Sequence, residues 1–455
     1  MGTTYLKRPA DDDGETGAVR DRVREIRTAV RDRGDEALRE FTERFDGVER
    51  DSPLLSAEER DRALARLDEE TRRILEHNHG RIEAFAKRQR ASLEAFEEEF
   101  DDGIVMGQTV RPVPSVGAYV PGGRYPLLSA ALMTVTPAAV AGVPDIAVAT
   151  PPADGDGLPH AATVYAADLA GADRLYVAGG AQAVAALAYG TGTVEPVDKV
   201  VGPGNAYTTE AKRQVYGEVG IDLLAGPSEV CVLADGTADP DLVAADLLAQ
   251  AEHDTHARPL LVSTDRDLAA ATVAAVERRL ETLATADVAG AAWENEGTVV
   301  VADSLDEAVA VTNDLAPEHL EVHVAEPRAL LDDLDAYGSL FLGEPSAVVY
   351  SDKCVGTNHV LPTDAGARYT GGLSVFEFLR VLTHQELDAE GAERVRPWAV
   401  AQSRRERLEG HARSAYLRGP DADPSGYEAY DPRLDGGGGR GAEGGSGEGS
   451  GGDGD

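Results

Sequence analysis

The stretch VGAYVPGG at residues 116–123 decides the predicted fold, because it joins a short apolar run to a Gly-rich turn. An Ala-rich stretch with helical composition follows it, at residues 127–141. Further apolar runs, each followed by a Gly- or Pro-containing turn, begin at residues 146, 174 and 199. Strands that alternate with helices at this spacing predict βαβ units around a parallel sheet, with ligands outside the carboxyl ends of its strands.

A second set of alternating elements follows the first. Its predicted strands cover residues 230–233, 260–262, 298–301, 320–324 and 339–342, and its predicted helices cover residues 241–252, 268–283, 307–315 and 327–334. We therefore expect an α/β fold with two related lobes, each built on a parallel-type sheet, and a cleft between them.

Helical sequence flanks both lobes. Apolar residues recur at helical spacing within residues 15–100, as in Val23, Ile26 and Val30, and residues 376–418 also have a helical pattern. The expected organisation has five segments. They are a helical N-terminal region (1–118), a first α/β lobe (119–227), a second α/β lobe (228–372), a C-terminal helical region (373–434) and a disordered Gly-rich acidic tail (435–455).

The chain of 455 residues is strongly acidic, with 43 Lys and Arg against 81 Asp and Glu and a net charge of −38. Such a negative field repels phosphate backbones and anionic lipids, so it argues against a nucleic-acid-binding or membrane-surface protein. With 42% hydrophobic residues in patterned runs, the chain is not expected to be disordered. We interpret the acidic surface as a halophilic adaptation, since salt screens the repulsion between carboxylates.

Cys231 and Cys354 lie far apart, and two cysteines do not form a disulfide framework for a chain of this size. The sequence has neither the apolar core of a signal peptide nor a run of about 20 apolar residues. These features predict a protein of the reducing cytoplasm. A thiolate could also serve an aldehyde oxidation, but Cys231 sits in an apolar strand and is expected to be buried and inert.

Two polar segments are candidate sites. Gln250 and His253 share a face of a predicted helix at i, i+3 and could bind a metal, although His256 forms a competing pair with His253. Glu318 and His319 place a carboxylate beside an imidazole, which suits general acid and base catalysis. Taken alone, Gln250 and His253 are better explained as a satisfied surface helix end, whereas Glu318 and His319 are equally well explained as polar loop residues.

Other polar residues give weaker signals. Asp352 could be a metal ligand or a turn residue, and Ser228 closes a Gly-Pro turn. Glu406 and His411 lie on an acidic helix, where solvated charge is the simpler interpretation. In the tail, Gly436, Gly438 and Gly441 match the G-x-G-x-x-G spacing without a strand before them, so they do not indicate a dinucleotide site.

Together these motifs make residues 21–418 resemble the histidinol dehydrogenase family. The stretches that carry the resemblance are VGAYVPGG (116–123), GGAQ (179–182), GPGNA (202–206), AGPSEV (225–230), QAEH (250–253), PEHLE (317–321) and GTNHVLPT (356–363). The resemblance implies NAD-dependent oxidation of L-histidinol to L-histidine through a bound aldehyde, in histidine biosynthesis, with one Zn²⁺ per subunit. It also implies an incomplete Rossmann-like nucleotide lobe.

The resemblance assigns site residues by position. Gln250, His253, Asp352 and His411 would be the zinc ligands, with His411 and Glu406 donated across a homodimer. Ser228, His319 and Glu406 would bind the substrate together with the zinc ligands. Glu318 and His319 would be the catalytic acid and base, while Tyr119, Gln182 and Asn205 would contact NAD. His256 departs from the family's needs and remains an alternative ligand.

Two other functions compete with this one. The first is a relative on the same scaffold that oxidises another small polar alcohol, which the presence of Glu406 and His411 disfavours. The second is a metal-binding regulatory or storage protein on an inactive scaffold, which the intact Glu318-His319 pair disfavours.

Overall fold

The computed structural model describes residues 3–9, 16–122, 128–153, 156–420 and 422–432. The predicted turn residue Gly123 and the Gly-rich tail lie outside these residues. Within them, no helix combines the length and apolar character that a membrane crossing requires.

The strands and helices are as follows. The strands are β1 (Thr4–Lys7), β2 (Phe96–Asp101), β3 (Ile104–Pro112), β4 (Val116–Tyr119), β5 (Ile146–Thr150), β6 (Arg174–Val177), β7 (Lys199–Val201), β8 (Gly220–Ile221), β9 (Glu229–Ala234), β10 (Arg258–Ser263), β11 (Thr298–Val301), β12 (His319–His323), β13 (Ser339–Leu342) and β14 (Leu379–Leu387). The helices are α1 (Thr16–Arg33), α2 (Asp35–Asp46), α3 (Ala57–Leu64), α4 (Glu69–Arg90), α5 (Leu128–Ala141), α6 (Ala161–Ala170), α7 (Gly180–Tyr189), α8 (Ala206–Val215), α9 (Pro240–Ala251), α10 (Arg266–Leu280), α11 (Ala286–Glu296), α12 (Leu305–Leu315), α13 (Val348–Tyr350), α14 (Ala389–Arg405) and α15 (Glu409–Tyr416).

The chain divides into two compact units. The first unit comprises residues 1–93 and 112–380 and contains both α/β lobes. The second comprises residues 94–111 and 381–455, with the sheet β14-β3-β2 and the helices α14 and α15. The boundaries of the five predicted segments stay predictions.

The first lobe is built on five parallel strands in the order β6-β5-β4-β7-β8. Numbered by their sequence within the lobe, these strands run 3-2-1-4-5. The order reverses between β4 and β7, which is the place where doubly wound sheets bind ligands.

The second lobe repeats this arrangement. Its strands β9 to β13 lie in the order β11-β10-β9-β12-β13, which is again 3-2-1-4-5 and again parallel. The N-terminal strand β1 extends the sheet by pairing antiparallel with β11. The prediction of two related α/β lobes with parallel sheets is therefore confirmed.

Each parallel sheet is covered by apolar groups on both faces. In β5, Ile146 and Val148 pack into one core cluster while Ala147 and Ala149 pack into another. The strands of the second lobe divide in the same way, with Val232 on one side and Cys231 on the other. Apolar runs without alternation are expected for strands buried on both faces. At about 25 cal/mol per Å² of buried apolar surface, these clusters are the main stabilising term of the lobes.

Three helix predictions were wrong. Residues 96–101 form β2 and residues 379–387 form β14, two strands that flank β3 in the second unit. Every residue of β2 is exposed, so the strand lacks the alternation of buried and polar residues by which strands are recognised. Residues 327–334 form only a short 3₁₀ helix, Pro327–Leu330.

Candidate active site

Glu318 and His319 lie where β12 begins, beside the first residue of β9. The Glu229 amide donates a hydrogen bond to Glu318 Oε2 at 2.8 Å, and the Glu318 amide donates one to Glu229 Oε2 at 3.2 Å. All three residues are buried. The two strands are neighbours at the point where the strand order of the second sheet reverses. The exchange of hydrogen bonds fixes the backbone that presents the catalytic candidates.

The His319 ring is oriented by one hydrogen bond. Its Nδ1 lies 2.9 Å from the backbone oxygen of Glu229, so Nδ1–H donates and Nε2 is the nitrogen that can gain or lose a proton. Nε2 is buried without a hydrogen-bond partner among the described residues, and it lies 4.0 Å from Asp352 Oδ1. Burial lowers the pKa of His319, but the carboxylates of Glu318 and Asp352 outweigh burial and raise it to about 9. A proton that Nε2 accepts is therefore held strongly by the ring.

The Glu229 carboxylate has further contacts that fix the backbone around Glu318 and His319. Its Oε1 pairs with Arg258 Nη1 at 2.6 Å and accepts a hydrogen bond from the Asp364 amide at 3.1 Å. Burial raises the pKa of Glu229, and the Arg258 guanidinium only partly offsets that effect. This buried carboxylate thus holds the start of β12 and the segment after Thr363 in one place.

Gln250, His253 and Asp352 are brought together from two distant segments. Gln250 is buried near the end of α9, and His253 follows two residues after the helix ends. Asp352 lies in the wide turn Ser351–Val355, which has the i→i+5 geometry that often occurs at functional sites. The three side chains line one cavity.

The protonation of these groups suits metal binding. Burial lowers the pKa of His253, which favours the neutral imidazole that a metal requires. Burial would raise the pKa of Asp352, but His359, whose Nδ1 is 3.6 Å from Asp352 Oδ1, helps to hold it well below its usual range. Asp352 is therefore an ionised oxygen donor.

The cavity has a volume of about 130 Å³ and lies between the two lobes. Pro203 and Gly204 reach it from the carboxyl end of β7, whereas Ser228, Glu318 and His319 reach it from the amino ends of β9 and β12. It is also lined by Ala130, Ala225, Gly226, Gln250, His253, Asp352, Lys353, His359, Val360, Leu361 and Thr363. The predicted cleft between two lobes is thus present and holds most of the candidate residues.

The three nucleotide-binding candidates lie on the first lobe. Tyr119 ends β4 and its hydroxyl accepts a hydrogen bond from the Gly180 amide at 3.1 Å. Gln182 is buried in the first turn of α7. Asn205 follows β7 and caps α8, because its Oδ1 accepts hydrogen bonds from the amides of Tyr207 and Thr208 at 3.0 and 3.2 Å.

Asn205 therefore already has a structural function, but its side-chain NH₂ is still a donor. Tyr119 and Asn205 stand at the carboxyl ends of the two strands between which the order reverses. Nearby, Lys212 is buried in an ion pair with Asp222, 2.5 Å away, and donates to the Gly202 carbonyl at 2.9 Å. Lys212 thus stabilises the turn and does not present a free charge to a phosphate.

Glu406 and His411 belong to the second unit. Glu406 caps the end of α14, where its Oε1 accepts a hydrogen bond from Gln402 at 2.7 Å, and His411 lies on α15. Both are exposed. The alternative ligand His256 has 69% of its side chain exposed and lies beside Glu296, 3.8 Å away, rather than in the cavity lining. Its position disfavours metal binding at this site.

Cys231 is completely buried in β9, and burial raises the pKa of its thiol to about 12. The expectation that Cys231 is buried is confirmed, and a buried thiol with a raised pKa is a poor nucleophile. Cys354 is exposed in the wide turn, and within the described residues neither cysteine is in a disulfide.

Sequence reasoning assigned no function to Glu229, His359 or Thr363. The Thr363 hydroxyl accepts a hydrogen bond from the Gly226 amide at 2.6 Å and so joins two of the cavity's edges. Each of these residues lies inside a stretch that carried the family resemblance. The available signal was a charged residue, Glu229, at the start of an otherwise apolar strand.

Comparison with known proteins shows which family the chain is similar to. A profile described as histidinol dehydrogenase matches residues 8–419. A histidinol dehydrogenase from Geobacillus kaustophilus is 48% identical over 401 residues, covering 87% of this chain and 93% of the relative. A histidinol dehydrogenase homolog from Shouchella clausii is 44% identical over 402 residues, covering 88% and 94%.

A solved structure agrees with the sequence matches. The crystal structure of histidinol dehydrogenase from Elizabethkingia anophelis superposes with a TM-score of 0.85 at 34% identity, covering 90% of this chain and 94% of that one. The resemblance inferred from the motifs is confirmed. The chain therefore belongs to the histidinol dehydrogenase family, whose members are zinc- and NAD-dependent oxidoreductases that act on histidinol in histidine biosynthesis.

Proposed function

We propose that Glu318 and His319 are the proton-transfer residues for the oxidation of histidinol to histidine. The observation that carries this proposal is the His319 ring, with Nδ1–H bound to the Glu229 carbonyl and Nε2 bare inside the cavity. An imidazole held in this tautomer can take a proton from a hydroxyl placed within about 3 Å of Nε2.

In the first step, His319 Nε2 takes the hydroxyl proton of histidinol while a hydride leaves the carbinol carbon and the aldehyde forms. The carboxylates of Glu318 and Asp352 stabilise the imidazolium that results, because each lies within 4.0 Å of a ring nitrogen. In the second step, Glu318 takes a proton from water as the water adds to the aldehyde carbon, and the His319 imidazolium gives its proton to the carbonyl oxygen. The hydrate forms and His319 returns to its neutral state. His319 then deprotonates this hydrate while the second hydride leaves and the carboxylic acid forms.

We infer that Gln250, His253 and Asp352 hold zinc, with His411 of the partner subunit as the fourth ligand. The donor set fits zinc, because a neutral imidazole, an amide oxygen and an ionised carboxylate line one cavity and Gln250 and Asp352 are buried. When bound there, zinc supplies an anchor for the substrate's imidazole and amine, and NAD supplies the hydride acceptor. Holding the aldehyde in the cavity between the two steps prevents its release into bulk water.

We assign the NAD site to Tyr119, Gln182 and Asn205 at the reversal of the first sheet. No G-x-G-x-x-G fingerprint is needed, since the tight turns are supplied by Gly180 and Gly202, both with positive φ. A Cβ on Gly202 would lie 2.1 Å from the Tyr119 carbonyl, so glycine is required for this approach. Ser228, in the cavity lining, and the partner's Glu406 would bind polar groups of histidinol.

A homodimer is supported by the exposed surface of the second unit. This unit presents large apolar side chains to solvent, among them Phe100 at 55% and Trp398 at 76% exposure. Large apolar side chains exposed in a single chain are typical of residues that an interface covers. Glu406 and His411 are exposed on the same unit, as residues donated to a partner's site would be in a single chain.

The test is an assay of NADH formed from histidinol, NAD and zinc in a range of KCl concentrations. The proposal requires two NADH for each histidine. One NADH per turnover with aldehyde release would remove Glu318 from its role, and no turnover at any salt concentration would overturn the assignment.

Oxidation of another small polar alcohol is the second candidate. It has support from the Shouchella clausii relative, which is nearly as similar as the first and is named only as a homolog. A panel of amino alcohols without an imidazole separates the two, because a pocket with His411 of the partner subunit and Glu406 should oxidise histidinol preferentially.

A further inference from the structure

A second cluster of metal-ligand side chains continues along the strand that carries His319. In β12 the residues His319, Glu321 and His323 alternate with apolar ones, so all three point to the same face of the sheet. His319 lines the cavity, but Glu321 and His323 do not. Asp246 of α9 joins them from the covering helix.

The geometry of this cluster matches a small cation. One ligand atom each from Asp246, Glu321 and His323 can be chosen so that all lie within 4.8 Å of one another. Glu321 Oε2 and His323 Nε2 are 3.6 Å apart. This is too long for a good hydrogen bond, yet it is close to the separation of about 3.4 Å that two ligands have on a tetrahedral zinc with bonds of about 2.1 Å.

Two side chains of the cluster are fully buried, and three of their polar atoms are unpaired, although the Asp246 and Glu321 carboxyls are close enough to share a proton. The side chains of Glu321 and His323 are both 0% exposed. Glu321 Oε1 accepts a hydrogen bond from the Val348 amide at 2.7 Å, which orients the carboxylate. Its Oε2 and both nitrogens of His323 lack hydrogen-bond partners in the part of the chain that the structure describes. Buried polar atoms without partners are costly and call for an explanation such as a bound ion.

The charges point the same way. Burial and the Asp246 carboxylate raise the pKa of Glu321, and burial raises that of Asp246, although the Arg279 guanidinium partly offsets the effect on Asp246. Burial lowers the pKa of His323, which favours the neutral ring with one nitrogen able to donate a lone pair to a cation. A divalent cation would remove the repulsion and satisfy all three groups.

We propose that Asp246, Glu321 and His323 bind a second divalent cation, of the zinc class, with a structural role. Its ligands come from α9, which also carries Gln250, and from β12, which begins with His319. The cation would therefore tie together the two elements that present the metal donors and the catalytic imidazole, and it would fix their spacing.

Metal counting tests this proposal independently of the catalytic one. Purified chain is saturated with zinc chloride, dialysed against metal-free buffer and measured by plasma mass spectrometry. The expected content is two zinc per chain for the unaltered protein, one for Glu321→Gln or His323→Gln, and one for His253→Ala. His256→Gln, at an exposed histidine outside both sites, should retain two.

The proposal is overturned if the unaltered protein binds one zinc and this zinc is lost in His253→Ala but kept in Glu321→Gln. In that case Asp246 and Glu321 share a proton and bind no cation. If the Glu321 and His323 variants do not fold, crystals of the unaltered holoprotein decide the question. An anomalous peak at the zinc edge within about 2.2 Å of Glu321 Oε2 and His323 Nε2 supports the site. Its absence, with a peak present at Asp352, refutes it.

Discussion

Glu229 and Glu318 each use their carboxylate to accept a hydrogen bond from the other's backbone amide. The two residues open neighbouring strands, so this exchange joins two strand ends that carry the site. Glu229 does not line the cavity, yet its carboxylate holds the backbone of Glu318 in place and so determines the shape of the site.

The first prediction concerns Glu229. We expect Glu229→Ala to lower the free energy of unfolding by about 2–4 kcal/mol, since it removes two buried backbone hydrogen bonds and an ion pair. Urea denaturation measures this change. Asp364→Asn is the matched control, because Asp364 is an exposed partner of the same Arg258 and should cost less than about 1 kcal/mol. Equal losses for the two variants would contradict the interpretation.

The second prediction concerns His319. His319→Asn should lower kcat by a factor of about 10²–10⁴, the usual contribution of a general base, while zinc content stays unchanged. Steady-state kinetics and metal analysis on the same preparation check both points. Loss of metal would mean that His319 is a ligand rather than the base.

The third prediction concerns the partner subunit. His411→Ala should lower zinc occupancy and activity. Mixing it with the inactive His319→Asn chain should restore part of the activity, since mixed dimers would contain one site with both residues intact. If the chains exchange and activity never returns, His411 acts within its own subunit or not at all.

The fourth prediction concerns pH. Burial raises the pKa of Asp46 to about 6 from 3.8, so ionisation disfavours the folded state. The stability that the protonated form provides is complete below pH 3.8 and is lost as pH rises through about 6. Asp46→Asn should therefore stabilise the protein by about 1 kcal/mol at pH 8 and little at pH 4, after allowance for the partly exposed carboxylate.

Thermal unfolding across this pH range measures the effect. Asp51→Asn is the control, because Asp51 is a nearby exposed acid and its replacement should leave the pH dependence as it is. A parallel shift of both variants at every pH would argue against burial as the cause.

The fifth prediction concerns salt. If the net charge of −38 reflects a surface adapted to salt, the unfolding midpoint should rise as KCl increases from 0.1 M to 2 M. Sucrose of matched viscosity serves as a control. A midpoint that is flat or falls with KCl would leave the acidity without a halophilic explanation.

Some of this structure could be predicted from the sequence. The apolar runs and Gly-rich turns around Val116 and Lys199 correctly indicated parallel strands and the cleft, because strands buried on both faces need continuous apolar residues. The spacing of Gln250 and His253 made them a candidate pair. The choice of Asp352 depended on the family resemblance, since a turn residue carries little local signal.

The remainder depends on contacts between distant parts of the chain. The exposed strand β2 has an acidic face and a face with two Phe residues, neither of which is buried, and it is a strand because it pairs with β3. The 3-2-1-4-5 strand order that the two sheets share could not be predicted either, because it depends on which strands become neighbours in the folded chain. Glu229 could not be identified because its partners, Glu318 and Arg258, are 89 and 29 residues away.

The alternation along β12 has a consequence for folding fidelity. This strand is paired on both sides, with His319 opposite Val230 of β9 and opposite Ser339 of β13. A slip of one residue would turn Leu320 and Val322 toward the site and carry His319, Glu321 and His323 to the opposite face. Misregistered molecules would thus be wholly inactive rather than weakly active, and the fraction of active protein after refolding measures how accurately the central strand finds its partners.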